Sequence, residues 1–248
     1  MGKGQQFLSE EHKILAARIA DLKKISEKSR SPMYSGFLAD WEQTLAEQML
    51  GGSPHSFWGG CDESARKMLC VGVCEEEDFP ISPITFTYRK CDILSHRDFL
   101  GALMNLGIKR ETLGDILVGE GYAIVFAERH LEEHICREIS KIGRIGVKAC
   151  AGLNAPIPRQ KFQSLSGVVA SVRLDSVAAV MCCQSREKTS KLISGGLVQL
   201  NGIVCTNGSK QLEQGEIVAI RGSGKFRLEK IGAVTKKGNI HIEINKFL

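Results

Sequence analysis

Between residues 79 and 155 the spacing of apolar residues switches between two and about 3.6 several times, and the order of the switches leaves few folds open. ITFTYR alternates Ile84, Phe86 and Tyr88 against Thr85 and Thr87, the period of a strand with one buried face. SHRDFLGALMNLG follows, with Ser95 and Asp98 in an S-x-x-D capping arrangement and Gly107 as a stop, which predicts a helix. GDILV and YAIVFA flank GEG as a hairpin, ERHLEEHICREISKI predicts a second helix, and IGVKACA a closing strand. The order β-α-β-β-α-β is that of the split βαβ sandwich of ferredoxin-like folds.

The flanks read differently. EEHKILAARIADLKKI places Ile14, Leu15, Ile19, Leu22 and Ile25 at helical spacing, and GFLADWEQTLAEQML repeats the pattern until GGSPH stops it. Lys67–Val73 is a candidate strand, and CEEEDFPISP reads as a surface connection with turn-forming prolines. On the other side NAPIPRQKFQS marks a linker. Beyond it, Asp175–Cys182 predicts a short helix, Ser185 caps a second that Gly195 or Gly196 ends, and LVQLNGIVC is a hairpin around Asn201-Gly202. EIVAIRG and NIHIEINKF supply further strands. The expected class is therefore α+β in three domains: residues 1–78 mostly helical, 79–155 the βαββαβ unit, and 164–248 a third unit with a β-rich tail.

Charge separates these regions. Residues 159–248 hold 14 Lys and Arg against 6 Asp and Glu, a balance of +8, whereas residues 1–158 hold 19 against 22, a balance of −3. One end of the chain is suited to a polyanion. Nine cysteines, irregularly spaced and without a C-x-x-C pair, argue against a disulfide framework and a zinc ribbon. No run of about 18 uncharged apolar residues exists to span a membrane, and MGKGQQFLSEEHK lacks an apolar signal core. A cytoplasmic location is expected.

Candidate contacts for a polyanion fall in three places. Arg186, Lys188 and Lys191 follow Ser185 on one short helix, near an N-terminus whose N–H groups and dipole favour anions. From spacing alone, a phosphate-binding face and a solvated face are equally good readings. RGSGKFR and TKKGN set glycines beside Arg221, Lys225, Lys236 and Lys237, which suits close backbone approach to a phosphate and equally suits hairpin turns. His96, Arg97, Lys109 and Arg110 bracket the first helix of the middle unit, with Asp98 and Asp115 as caps or partners. GYAIVF resembles the central-strand motif of RNA-recognition folds. Tyr122 and Phe126 share a face with Ile124, but the motif's leading basic residue is Glu120 here, which favours packed core for that face.

Enzymatic patterns are incomplete. HLEEH (His130, Glu133, His134) fits H-x-x-E-H without an evident third metal ligand, and SREK fits S-x-x-K without its partner motifs. Neither a P-loop nor a G-x-G-x-x-G after a strand is present. No catalytic residue, metal site or cofactor is therefore assigned.

RLD, then SR, then LISGGLVQLNG and GEIVAI, spanning Leu165 to Gly222, resemble as an ordered set the RNA-binding module named after ribosomal small-subunit protein four, the S-four domain. The resemblance implies an L-shaped surface of two helices and a hairpin that holds structured RNA, with Arg173, Ser185, Arg186, Lys188 and Lys191 facing it. GGCDESARKM, LSHRDFLGALMNLGIKRETLGDILV and RGSGKFRLEKIGAVTKKGNI resemble signature regions of the YlmH-type bacterial proteins. That resemblance implies an RNA-recognition-like middle domain, no enzymatic activity, and rRNA or tRNA on the large ribosomal subunit as partner, in ribosome quality control. The alternative is an RNA-modifying enzyme of the pseudouridine synthase or methyltransferase type, although residues 1–158 show neither a nucleophile nor a cofactor loop. A protein adaptor using the acidic CEEED segment is a third reading. On the first reading, Arg186→Glu with Lys191→Glu abolishes RNA binding and leaves the fold intact.

Overall fold

The computed structural model describes residues 10–158, 162–234 and 238–247. The chain divides into two compact units, Met1–Pro158 and Arg159–Leu248.

In the first unit, α1 (Glu10–Ser29) begins with Glu10 and Glu11 and ends near Lys28, charges that complement the helix dipole. It buries Leu15 and Ile19 but leaves Ile14 and Ile25 exposed, so its apolar stripe is narrower than the spacing predicts. The strand β1 (Met33–Leu38), the helix α2 (Asp40–Leu50), β2 (His55–Trp58) and β3 (Lys67–Val71) follow. The three strands form an antiparallel sheet in the order β1-β3-β2. This corrects the mostly helical reading of residues 1–78: GFL belongs to β1 rather than to a helix. MYSGFL and HSFW show no clean alternation of buried and exposed positions, so the period-two signal was weak there. Gly36 lies so close to the Glu111 carbonyl that a Cβ would sit 2.7 Å from its oxygen, which explains a glycine inside β1.

The strands β4 (Ile81–Thr87), β5 (Leu113–Val118), β6 (Tyr122–Glu128) and β9 (Lys148–Ala151) form the second sheet, antiparallel throughout in the order β5-β6-β4-β9. The helix α3 (His96–Asn105) connects β4 to β5, and α4 (Glu132–Glu138) follows β6. Two expectations change here. ISP is not a loop but the start of β4; β9 pairs with β4 from Thr85 onward, so Pro83, lacking an N–H, lies outside that ladder. The second helix is far shorter than ERHLEEHICREISKI suggested, because Arg129–Leu131 is a 3-10 turn and Lys141–Ile142 (β7) pairs with Ile145–Gly146 (β8) in a small hairpin.

Both faces of this second sheet are covered. Ile84, Phe86 and Val125 pack with Phe99 and Leu103 of α3 and Ile135 of α4. Ile124 and Phe126 point the other way and pack with Phe37, Met68 and Cys70 of the first sheet. The far side of the first sheet takes α1 and α2 through Leu15, Ile19, Ala46, Leu50 and Leu69. The unit is thus layered as helices, sheet, sheet, helices, and the expected boundary at residues 78 and 79 runs through a shared core.

The second unit comprises β10 (Phe162–Val169), α5 (Leu174–Cys182), α6 (Arg186–Ser194), β11 (Val198–Leu200), β12 (Ile203–Val204), β13 (Ile217–Ile220), β14 (Gly224–Val234) and β15 (Ile240–Phe247). Its sheet runs β10-β15-β14-β13-β11-β12. Leu174, Val177, Ala178 and Met181 of α5 and Ile193 of α6 pack with Val198, Val218, Phe226, Leu228, Ile242 and Ile244 from the sheet. Two strands are additions to the sequence reading: β10 starts inside the presumed linker, and β14 occupies GKFRLEKIGAV, where glycine-cation turns were expected. Gly222 (φ 84°), ahead of the strand, and Gly224 (φ 120°), its first residue, do make the turn. Among the described residues no helix is long and apolar enough to cross a membrane.

Candidate nucleic-acid interface

The S-four-like surface is built by local chemistry. Arg173 stands in extended conformation at the N-cap of α5, and Cys183, at φ 52°, ends that helix with its N–H on Ala179 and Val180 carbonyls. Ser185 caps α6, its Oγ accepting the Lys188 N–H at 3.4 Å. Because α6 buries Thr189 and Ile193, it leaves Arg186, Glu187, Lys188 and Lys191 exposed. The hairpin β11–β12 turns at Asn201 (φ 49°) and Gly202 (φ 78°), the pair of positive φ angles a two-residue turn of this kind requires. The Asn201 side chain accepts the Ile217 N–H at 2.9 Å and donates to Glu216 at 3.1 Å, tying the hairpin to β13.

Asp175 organises the cations. The residue is 6% exposed, and its carboxylate accepts from Arg173 Nε at 3.2 Å and Nη2 at 2.9 Å, and from Arg186 Nη2 at 3.2 and 3.0 Å. Its backbone N–H donates to Gly208 O at 3.0 Å, so the loop before β13 closes over it. The guanidiniums remain partly in water, 34% exposed for Arg173 and 53% for Arg186. Two fixed cations on one carboxylate leave one net positive charge, held at the junction of the two helices with little freedom to lose on binding an anion.

Burial pushes the Asp175 carboxyl up, but the hydrogen bonds and charges of Arg173 and Arg186 outweigh it and hold the group below its ordinary value. A lowered folded value means that the stabilisation is complete above the unfolded value of about 3.9 and is lost as pH falls through the folded one. The denaturation midpoint of the second unit should therefore drop with acidification below about pH 4, and the drop should be smaller in Asp175→Asn.

The remaining cations differ in character. Lys191 pairs with Glu187 at 2.9 Å, one helical turn away and fully at the surface. Arg221 is exposed beyond β13, where its N–H bonds Leu197 O at 3.0 Å, and Lys225 lies on β14 with its Nζ 5.4 Å from the Phe247 ring centroid. Lys236 and Lys237 lie outside the described residues.

In the first unit, Ser95 and Asp98 form the expected cap, the Ser95 N–H donating to Asp98 at 2.7 Å. His96 and Arg97 begin α3 exposed, and Lys109 is exposed beyond it. Partial burial, then the charge of Arg110, holds the His96 pKa below its ordinary value, so the ring is neutral at pH 7. Arg110 serves the fold: its Nη1 donates to Leu113 O at 2.7 Å and Gly114 O at 3.2 Å. Burial and the neighbouring Arg66 push its pKa down to about 10, which still leaves it charged. Asp115 accepts from the Ala65 and Arg66 N–H groups at 2.6 and 3.2 Å rather than from Arg110.

The RNA-recognition-like platform is closed. Phe126 is fully buried beneath the first sheet, and a Cβ on Gly60 would lie 2.2 Å from its ring. Of the HLEEH residues, His130 sits in the 3-10 turn and pairs with Glu128 at 3.2 Å, while His134 lies in α4, so the two are not on one continuous helix. Among the described residues no cluster of three metal-ligating side chains occurs.

Comparison with known proteins places this architecture. A family model described as "Putative RNA-binding domain in YlmH" matches residues 74–151, and one described as "S4 domain" matches residues 172–218. The "Ribosome-associated protein quality control protein P2" of Bacillus subtilis (strain 168) is 30% identical over 244 residues, covering 94% of this chain and 94% of its own. The chain belongs to the YlmH family. The solved structure of "Cell division protein ylmH from Streptococcus pneumoniae" is 27% identical, with a TM-score of 0.52 over 61% of this chain and 96% of that one. Within this YlmH family member, Arg173, Asp175, Ser185, Arg186, Lys188 and Lys191 all fall inside the matched S-four span, whereas β10, β14 and β15 lie outside both spans. Sequence reasoning missed Asp175 as the organising group, since the carboxylate and Arg186 are eleven residues apart.

Proposed function

We propose that the chain is a non-enzymatic binder of structured RNA that works on the large ribosomal subunit in the cytoplasm, holding rRNA or tRNA there in ribosome quality control. The observation that carries this reading is the α5–α6 junction, where a buried carboxylate presets two arginines beside the exposed lysines of α6. Such a surface suits phosphates at fixed spacing rather than a single mobile anion. The B. subtilis relative, matched along nearly the whole of both chains, is named as ribosome-associated, which supports the ribosome as partner. In this mechanism α5, α6 and the hairpin supply salt-sensitive affinity, and exposed cations such as Arg97 and Lys109 add positioning contacts.

The test is co-sedimentation of the full chain with separated ribosomal subunits across a salt series. Because Arg186 holds Asp175, Arg186→Glu would set two carboxylates against each other and disturb the fold as well as the surface. Lys188→Ala with Lys191→Ala is the cleaner variant, since both ammoniums are at the surface. Wild type should co-migrate with the large subunit. The double variant should bind more weakly and lower the slope of log affinity against log salt by roughly two, about 0.9 per phosphate contact. Unchanged affinity and slope would remove α6 from the interface.

A further inference from the structure

The open face of the C-terminal sheet carries an aromatic pair that the α5–α6 surface does not use. Phe162 and Phe247 are cross-strand partners at the ends of β10 and β15. Alternation along β15 turns Ile242 and Ile244 into the core and Phe247, Asn245 and Glu243 to the opposite face. The two rings meet edge to face, centroids 5.1 Å apart, and Phe162 is 37% exposed. Neither ring belongs to the buried core of the unit.

Exposed aromatics alone carry little meaning, but here cations sit over the rings. The Arg227 guanidinium carbon lies 5.8 Å from the Phe162 centroid and 5.4 Å from that of Phe247, and Lys225 Nζ lies 5.4 Å from Phe247. Among the described residues of β14 and β15 this face carries Lys225, Arg227 and Lys230 against Glu229 and Glu243, with Glu229 accepting from the neutral Asn245 amide at 3.0 Å and Glu243 paired with Lys230 at 3.7 Å. On the described part of this face cations therefore outnumber acids by one.

We propose that this face binds unpaired RNA, one or two bases stacking on Phe162 and Phe247 while Lys225 and Arg227 meet the flanking phosphates. A base offers a π-face to the rings and to the guanidinium plane, and its backbone offers anions to the cations. An acidic peptide would satisfy the cations only. The inference assumes that the protein binds RNA, but it uses residues separate from α6.

The experiment is fluorescence anisotropy of the full chain with a labelled ten-residue oligoadenylate and with an abasic ribose-phosphate strand of the same length. Wild type should bind the oligoadenylate roughly tenfold more tightly, the contribution expected of about one stacked base. Phe247→Leu, which keeps apolar bulk, should abolish that preference, whereas Lys188→Ala with Lys191→Ala should preserve it. If Phe247→Leu fails to fold by thermal melting, Arg227→Gln replaces it with the same expectation of a reduced preference. Equal affinity for the two strands, an unchanged preference in these variants, or displacement by polyglutamate as effective as by oligoadenylate would overturn the proposal. Failure of the α6 reading shows separately, as unchanged binding of folded RNA by the lysine variant.

Discussion

Asp175→Ala is expected to cost the second unit about 2–3 kcal/mol and to weaken binding of folded RNA even though it adds net positive charge. Removing one partner of a fully buried ion pair costs about 3–5 kcal/mol, because the survivor is left uncompensated. Here both guanidiniums reach water, 34% and 53% exposed, so the penalty is smaller. Urea denaturation followed on the C-terminal unit gives the first number. For binding, a diffuse electrostatic surface would gain affinity from the lost negative charge, whereas a preset pair loses it because Arg173 and Arg186 must be ordered on binding. A rise in affinity of Asp175→Asn for folded RNA would show that the arginines act only as unfixed charge.

Phe126→Ala is expected to destabilise the first unit by about 3–5 kcal/mol, the range for truncating a buried aromatic. The ring is fully buried between the two sheets and meets Gly60, Phe37 and Met68. Gly60 is at φ 98°, so a neighbour with a side chain could not close the gap without backbone strain. Truncation therefore leaves a cavity that cannot easily collapse. Phe126→Leu, closer in volume, should fold and leave RNA affinity unchanged, since the ring is fully buried and the swap stays apolar. A large loss of RNA affinity with the fold intact would mean that the first sheet opens to expose the aromatic face. Chemical denaturation and anisotropy on the same preparations separate the two outcomes.

Much of the secondary structure was legible, and the reasons are local. Ser95 with Asp98, Ser185 with Lys188, and Asn201-Gly202 are caps and turns set by residues at most three apart, so their geometry appears in the sequence as fixed spacings. The short continuous apolar run YAIVFA likewise fits a strand buried on both faces. MYSGFL and HSFW were illegible because their positions are nearly all half-buried, which blurs any period of two. GKFRLEKIGAV was misread because its opening glycines signal a turn more strongly than its later residues signal a strand.

The amino-acid order determined on its own how α3 and α6 are capped, that Asn201-Gly202 closes a two-residue hairpin, and that positive charge gathers in the C-terminal ninety residues. Only the tertiary structure decided which cations face solvent and which are engaged. Arg186 meets a carboxylate eleven residues back, Arg110 is held by backbone carbonyls, and Phe162 meets Phe247 on the neighbouring strand. It also decided that the RNA-recognition-like sheet is covered on both faces. Caps and periods depend on neighbours in the chain, whereas charge compensation and burial depend on groups brought together through space, and no local spacing encodes those.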